Sequence, residues 1–205
     1  MPEMTTGQAI KSAISLCLDN YEEAFLAGED IGIYGGAFGV TDGLLEKYGE
    51  DRIKDTPISE DAIAGLGVGA AITGARPIVE MQFSDFITCG FNQIVNNLAK
   101  THYRWGAKVP VVVRAPIGGG MGAGPYHSQC SESWFTSIAG LKVVAPATPE
   151  DAKGLLLAAI DDPNPVLFFE HKLLYRSLKA EVPTGFYHQE LGKARVVREG
   201  SDATI

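Results

Sequence analysis

The sequence has no apolar run approaching the roughly 20 residues that a membrane-spanning helix needs. It also lacks any cluster of basic residues: 17 Lys and Arg face 25 Asp and Glu, a formal charge of −8. Binding of nucleic-acid phosphates asks for grouped Lys and Arg, so a nucleic-acid surface is excluded. Cysteine is scarce, and Cys17, Cys89 and Cys130 are odd in number and far apart. They have neither metal-site spacing nor the look of a disulfide framework and read as free thiols of a reducing compartment. The opening Met1-Pro2-Glu3-Met4-Thr5-Thr6 has no basic segment and no apolar stretch, so it is not a secretory signal, and the expected location is the cytoplasm. Gly-Lys-Ser and Gly-Lys-Thr are both absent, which removes the nucleotide P-loop.

What remains is the composition of a globular protein, 45% hydrophobic and 20% charged over 205 residues. That length suits one large α/β domain, or one domain and the beginning of another. Ile10, Ala13, Ile14 and Cys17 have helical spacing. Ile31-Gly32-Ile33-Tyr34 reads as a strand leaving into a loop. Ser59 is placed to cap a helix with Glu60 and Asp61 in its first turn, running to Ile72. That helix contains Gly65, Gly67 and Gly69, each costing about 1 kcal/mol relative to Ala, and a close neighbouring backbone is the expected reason. Strands are expected at 78–81, 109–114, 142–145 and 166–170, and an amphipathic helix around Phe91, Ile94, Val95 and Leu98. Thr148 with Pro149, Glu150 and Asp151 predicts a helix start whose apolar stripe is Ala152, Leu155, Leu156, Ala159 and Ile160. Alternating strands and helices predict a three-layer α/β fold with a mostly parallel sheet. Near the end, Lys193–Arg198 and Ala203–Ile205 flank a turn, and the second apolar run stops after three residues, as in a piece of a longer polypeptide.

Two glycine patterns, Gly65 to Ala70 and Gly118 to Ala123, satisfy G-x-G-x-x-A, but neither opens a helix directly after a strand, so neither is a dinucleotide fingerprint. Glu60 can be read as a carboxylate favouring a helix dipole, or as one buried at an interface where it shares a proton with a ring nitrogen. His127 lies at the end of a long glycine-rich loop of the kind that carries site residues. His102, His171 and His188 have no companions pointing to a metal site or a triad.

Asp55-Thr56-Pro57-Ile58-Ser59-Glu60 with its Gly/Ala helix, Pro125-Tyr126-His127-Ser128-Gln129, Pro149 to Gly154 and Phe168-Phe169-Glu170 together carry a resemblance. From Thr6 to Ile205 the chain resembles the beta subunit of thiamine-diphosphate-dependent 2-oxo acid dehydrogenases, with a transketolase-like pyrimidine-binding domain. Glu170 to Arg176 leans toward the branched-chain 2-oxo acid branch, with pyruvate and acetoin enzymes as alternatives.

The resemblance implies a pyrimidine-binding domain over 1–185, then a linker and the truncated start of a C-terminal domain over 186–205. It implies that Glu60 hydrogen-bonds the pyrimidine nitrogen as acid/base for the cofactor, and that Ile58 supports the cofactor's bent shape. Phe86 packs on the pyrimidine where many relatives carry Tyr, and Gln82 is a polar neighbour of the same ring. His127 serves acyl transfer to a lipoyl arm by protonating a departing sulfur. A structural potassium ion would be held through Val111, Ala159, Ile160, Asp162 and Asn164, residues that would also form a plain Asp-Asp-Pro-Asn turn. The family's magnesium motif, Gly-Asp-Gly, does not occur. The implied protein is therefore a beta subunit of an α2β2 heterotetramer, with beta–beta contact, whose alpha subunit holds Mg2+ and the diphosphate and which serves the lipoyl domain of an acyltransferase. The rival from another class is a non-catalytic scaffold of the same fold.

Overall fold

The computed structural model describes all residues from Met1 to Ile205. Strands β2 (Ala24–Gly28), β3 (Ile53–Asp55), β4 (Arg76–Glu80), β5 (Val112–Ile117), β6 (Lys142–Val144) and β7 (Val166–His171) form one parallel sheet in the order β3-β2-β4-β5-β7-β6. A small antiparallel ribbon pairs β1 (Glu3–Thr5) with β8 (Lys179–Glu181). The helices are α1 (Thr6–Asn20), α2 (Leu44–Tyr48), α3 (Glu60–Ile72), α4 (Ala99–Trp105), α5 (Pro149–Asp161) and α6 (Leu174–Ser177).

Strand periodicity divides the interior in two. Leu26, Ile78, Val112, Val166 and Phe168 point to one face, where Ile10, Ile14 and Cys17 of α1 and Leu156 and Ile160 of α5 cover them. Their neighbours Ala27, Val79, Val113, Leu167 and Phe169 point to the other, against Ile63 and Ala64 of α3 and Ile94 and Leu98. Both faces are covered, as an all-parallel sheet requires, and the three-layer expectation is met. No helix is long and apolar enough to cross a membrane.

Several boundaries differ from expectation. Residues 31–34 are not a strand: the sheet takes Ala24–Gly28 instead, and Ile33 is 87% exposed. The strand ends because Asp30, with φ 57°, turns left-handed, a conformation that Asp tolerates better than most residues. Strand β5 starts at Val112, after a tight turn at Pro110 closed by the Val111 N–H to the Val109 carbonyl. The segment Gln93–Leu98 is a widened π-type helix leading into α4. Thr148 caps α5 as expected, its hydroxyl accepting from the Asp151 N–H at 3.1 Å.

Ser59 precedes α3 without capping it; its hydroxyl donates to the Pro57 carbonyl at 3.0 Å. Of the three helix glycines, a Cβ on Gly67 would stand 3.2 Å from Val111 and one on Gly65 would stand 3.5 Å from Gln93, while Gly69 faces open space. The close backbone contact is made by another glycine, Gly90, whose Cβ would stand 3.0 Å from the Glu60 carbonyl.

One polar group ties the middle of the sheet. Arg114 on β5 is fully buried and donates to Glu170 on β7 through Nε at 2.7 Å and Nη2 at 2.8 Å, and to Glu80 at the end of β4. The Tyr175 hydroxyl donates to the same Glu170 carboxylate at 2.5 Å. The two glutamates hold the Arg114 pKa above its ordinary value despite burial, which on its own would lower it. Removing the cation would strand two carboxylates in the core. Arg114→Met is expected to destabilise the fold by about 3–5 kcal/mol, read as a lower midpoint in chemical denaturation. Glu170→Gln, which keeps the shape and part of the hydrogen bonding, should cost less.

Candidate functional site

After β2 the chain leaves toward β3, and after β4 it leaves toward β5, on the opposite side. In open parallel sheets ligands bind outside the carboxyl ends of the strands where such connections diverge. Four segments meet at this edge: Gly28-Glu29-Asp30 after β2, the start of α3 after β3, Gln82 to Phe86 after β4, and the His127 loop after β5.

Glu60, the first residue of α3, is 8% exposed. Beside it Glu29, 5% exposed, accepts the Ser59 N–H at 3.3 Å. Burial raises the Glu29 pKa above the usual glutamate value, the charge of Glu60 adds to the rise, and the Ser59 N–H opposes it. Asp30 carries the only positive φ outside glycine, and its carboxylate accepts the Gln82 side-chain amide at 3.1 Å. Strained backbone of this kind collects at sites that surrounding structure over-determines.

Phe83, Phe86 and His127 form an aromatic clamp. His127 stands edge-on to Phe83 at 4.7 Å and to Phe86 at 5.4 Å between centroids, with interplanar angles of 88° and 87°. Phe83 is packed in turn against Phe38 at 5.4 Å, and Phe38 against Tyr175 at 5.4 Å. The loop carrying His127 is anchored by Gln129, whose main-chain N–H and side-chain amide both donate to Asp85, at 3.3 and 3.0 Å.

The residues expected at the site thus fall into linked groups: Phe86 touches His127, Gln82 is held by Asp30, and Glu29 joins that segment to Ser59 and Glu60. Ile58 stands apart, 85% exposed on the loop before α3. The sequence pattern does not single out Glu29, Asp30, Phe83, Asp85 or the buried Lys172. The first two follow directly after β2, and the position of that strand at Ala24–Gly28 is the signal that marks them. The other three gave no periodic signal.

The five residues assigned to potassium lie at the other edge of the sheet, before β5 and β7. Their oxygens are engaged within the chain. The Val111 carbonyl accepts from Val166 N–H, Ala159 from Asp162 N–H, and Ile160 from Arg76 Nη1 at 2.5 Å. The Asp162 carboxylate takes the Asn164 N–H at 2.9 Å and the Lys142 ammonium. These internal hydrogen bonds hold the turn together, and each carbonyl oxygen keeps a second lone pair. A cleft of about 570 Å³ also lies away from Glu60, lined by residues that include His102, Tyr103, Leu141 and Asn164.

Because the Glu29 pKa is raised in the folded state, its contribution to stability is full below the unfolded value and is lost as pH rises through the folded one. Glu29→Gln is therefore expected to be the more stable protein at neutral and alkaline pH. Its advantage should shrink as the pH falls well below the ordinary glutamate value, where wild-type Glu29 becomes protonated in both states. Unfolding midpoints across pH check this; an advantage that does not vary with pH contradicts it.

A family profile described as transketolase, pyrimidine-binding domain, matches residues 2–177. The chain is 51% identical over 209 residues to the 2-oxoisovalerate dehydrogenase subunit beta of Bacillus subtilis (strain 168). It is 49% identical over 207 residues to the pyruvate dehydrogenase E1 component subunit beta of Acholeplasma laidlawii. Each match takes in 100% of this chain but 63% of the relative, so the chain spans a little under two thirds of those proteins. Among solved structures, a split-gene transketolase described as an inactive beta4 tetramer superposes with a TM-score of 0.72 at 20% identity, over 96% of this chain and 60% of that one. At that identity the likeness concerns the fold.

Proposed function

The chain belongs to the transketolase pyrimidine-binding domain family, and from that premise we propose that it forms the pyrimidine-holding part of a thiamine-diphosphate-dependent 2-oxo acid dehydrogenase beta subunit. The observation that carries this reading is Glu60. It is a buried carboxylate at a helix start, at the strand edge where such sheets bind ligands, beside Glu29, whose pKa burial raises. Residues 1–185 make up the binding domain. Residues 186–205 are read as a linker and the start of a further domain. That tail forms no helix or strand and lies along α5, where the Tyr187 hydroxyl donates to the Glu150 carbonyl at 2.8 Å.

The residues present fit the pyrimidine half of the cofactor. Glu60 offers an acid to a ring nitrogen, Phe86 a half-buried aromatic face, Gln82 a side-chain amide and Ile58 an exposed apolar side chain. When bound, thiamine diphosphate supplies the nucleophilic carbon and the electron sink for decarboxylation. Glu60 presents its carboxyl to the pyrimidine nitrogen, and Glu29 supports the start of that helix through the Ser59 N–H. Phe86 excludes water from one side of the ring. His127, packed perpendicular to two phenylalanine rings, holds the proton delivered to the departing sulfur when the acyl group passes to a lipoyl arm.

This chain has no Gly-Asp-Gly sequence for the magnesium diphosphate, so the reading assigns Mg2+ and diphosphate to an alpha subunit in an α2β2 assembly and makes activity depend on that partner. The exposed side of the site agrees with such a boundary: Ile58 and Leu66 on either side of the start of α3 are uncovered, as are Ile33 and Tyr34 after β2. A branched-chain 2-oxo acid is the favoured substrate, supported by the 51% identity to a 2-oxoisovalerate enzyme. The 49% identity to a pyruvate enzyme makes pyruvate the second reading.

With the full-length chain assembled with its alpha partner, Glu60→Gln is expected to lower 2-oxo acid decarboxylation by more than about a hundred-fold while assembly persists. Near-normal turnover would reject the role. His127→Ala should reduce acylation of a lipoyl domain far more than it reduces decarboxylation measured with an artificial electron acceptor. Equal loss of both counts against the division of labour.

A further inference from the structure

Beneath the His127 loop lie two buried charged groups that the proposed chemistry leaves unused. Lys172, directly after β7, is 4% exposed, and its ammonium has no hydrogen-bond partner in the chain. Asp85 is 5% exposed; one carboxylate oxygen holds Gln129 and the other is buried without a partner. Burial pushes the Lys172 pKa down, and the nearby Asp85 and Cys130 act against that shift. A lysine can usually extend its charge into water, and burying an ammonium without a hydrogen-bonded partner is unfavourable. Its retention here calls for a compensating contact. That contact is aromatic: Lys172 Nζ lies 5.4 Å from the centroid of the Phe83 ring, within reach of a cation–π attraction that strengthens when water is excluded.

Phe83 is also the ring closest to His127 in the clamp. We propose that Lys172 is a positioning residue for His127: its cation fixes the Phe83 ring, Phe83 and Phe86 fix the imidazole, and Asp85 holds the same loop through Gln129. The proposal rests on the reading of His127 as the acyl-transfer residue. It deepens that reading by naming what keeps the imidazole in place on a loop rich in glycine. Gly118, Gly120, Gly122 and Gly124 all have positive φ, so the backbone on the N-terminal side of His127 is permissive and side-chain contacts carry the placement. A neutral side chain at position 172 fills the same volume and loses the attraction for the ring face.

The test uses the full-length chain assembled with its alpha partner and carrying Lys172→Met, Lys172→Gln or Lys172→Arg. For Lys172→Met the kcat of lipoyl-domain acylation is expected to fall between about ten- and a hundred-fold. The KM for the lipoyl domain should not change, and Lys172→Arg, which keeps the cation, should restore most of the rate. Lys172→Gln carries the same expectation where the methionine variant does not assemble. In assemblies with isotope-labelled histidine, the His127 ring signals should move in the neutral variants and return in Lys172→Arg, since the two phenylalanine rings set their magnetic environment. Unmoved signals, or a rate loss that arginine does not restore, overturn the proposal. Moved signals with undiminished acylation leave the clamp standing and overturn the acyl-transfer reading of His127 instead.

Discussion

The fold depends on one guanidinium. Arg114 sits in the middle of a parallel sheet, on the same face as Val112, and binds carboxylates from the strands on either side. A buried cation of this kind is tolerated only with its counter-charges in place, so it fixes the lateral order of β4, β5 and β7 more strictly than apolar packing would. It also fixes where those strands end, because Glu80 and Glu170 are the last or nearly last residues of theirs. The edge that carries the candidate site is thus set from inside the core.

From that cluster a line of contacts runs outward to the site. Tyr175 bonds Glu170 and packs at a tilt against Phe38, and Phe38 meets Phe83, which contacts both His127 and the Lys172 cation. On the other side of the edge, the left-handed turn at Asp30 brings Glu29 to Ser59 and Gln82 to Asp30. The acid and the imidazole therefore rest on two separate supports, one acidic and one aromatic. The separation agrees with the proposed division between cofactor activation and acyl transfer.

Much of the architecture was legible in the residues because it is local. Thr148 with Pro149 marks a helix start through one side-chain hydrogen bond, and the alternation in Val166–Phe169 sends side chains to two buried faces. Glu60 at the head of α3 could be located from the carboxylates of the first turn. Strand β2 could not, because Ala24–Gly28 is buried on both sides and its Ala-Phe-Leu-Ala-Gly has no polar alternation. Missing it concealed Glu29 and Asp30. Lys172 and Asp85 were hidden for a different reason: their burial depends on segments distant in the chain, and a charged side chain taken alone reads as a solvated one.

The central claim is that Glu60 meets a thiamine pyrimidine at a boundary with a partner chain. An experimental structure of the full-length chain assembled with its alpha subunit and thiamine diphosphate tests it most directly. The account predicts a Glu60 carboxylate oxygen within hydrogen-bond distance of the pyrimidine nitrogen, with the diphosphate on the alpha side. A cofactor bound away from Glu60, or a partner that leaves this strand edge open to solvent, would contradict it.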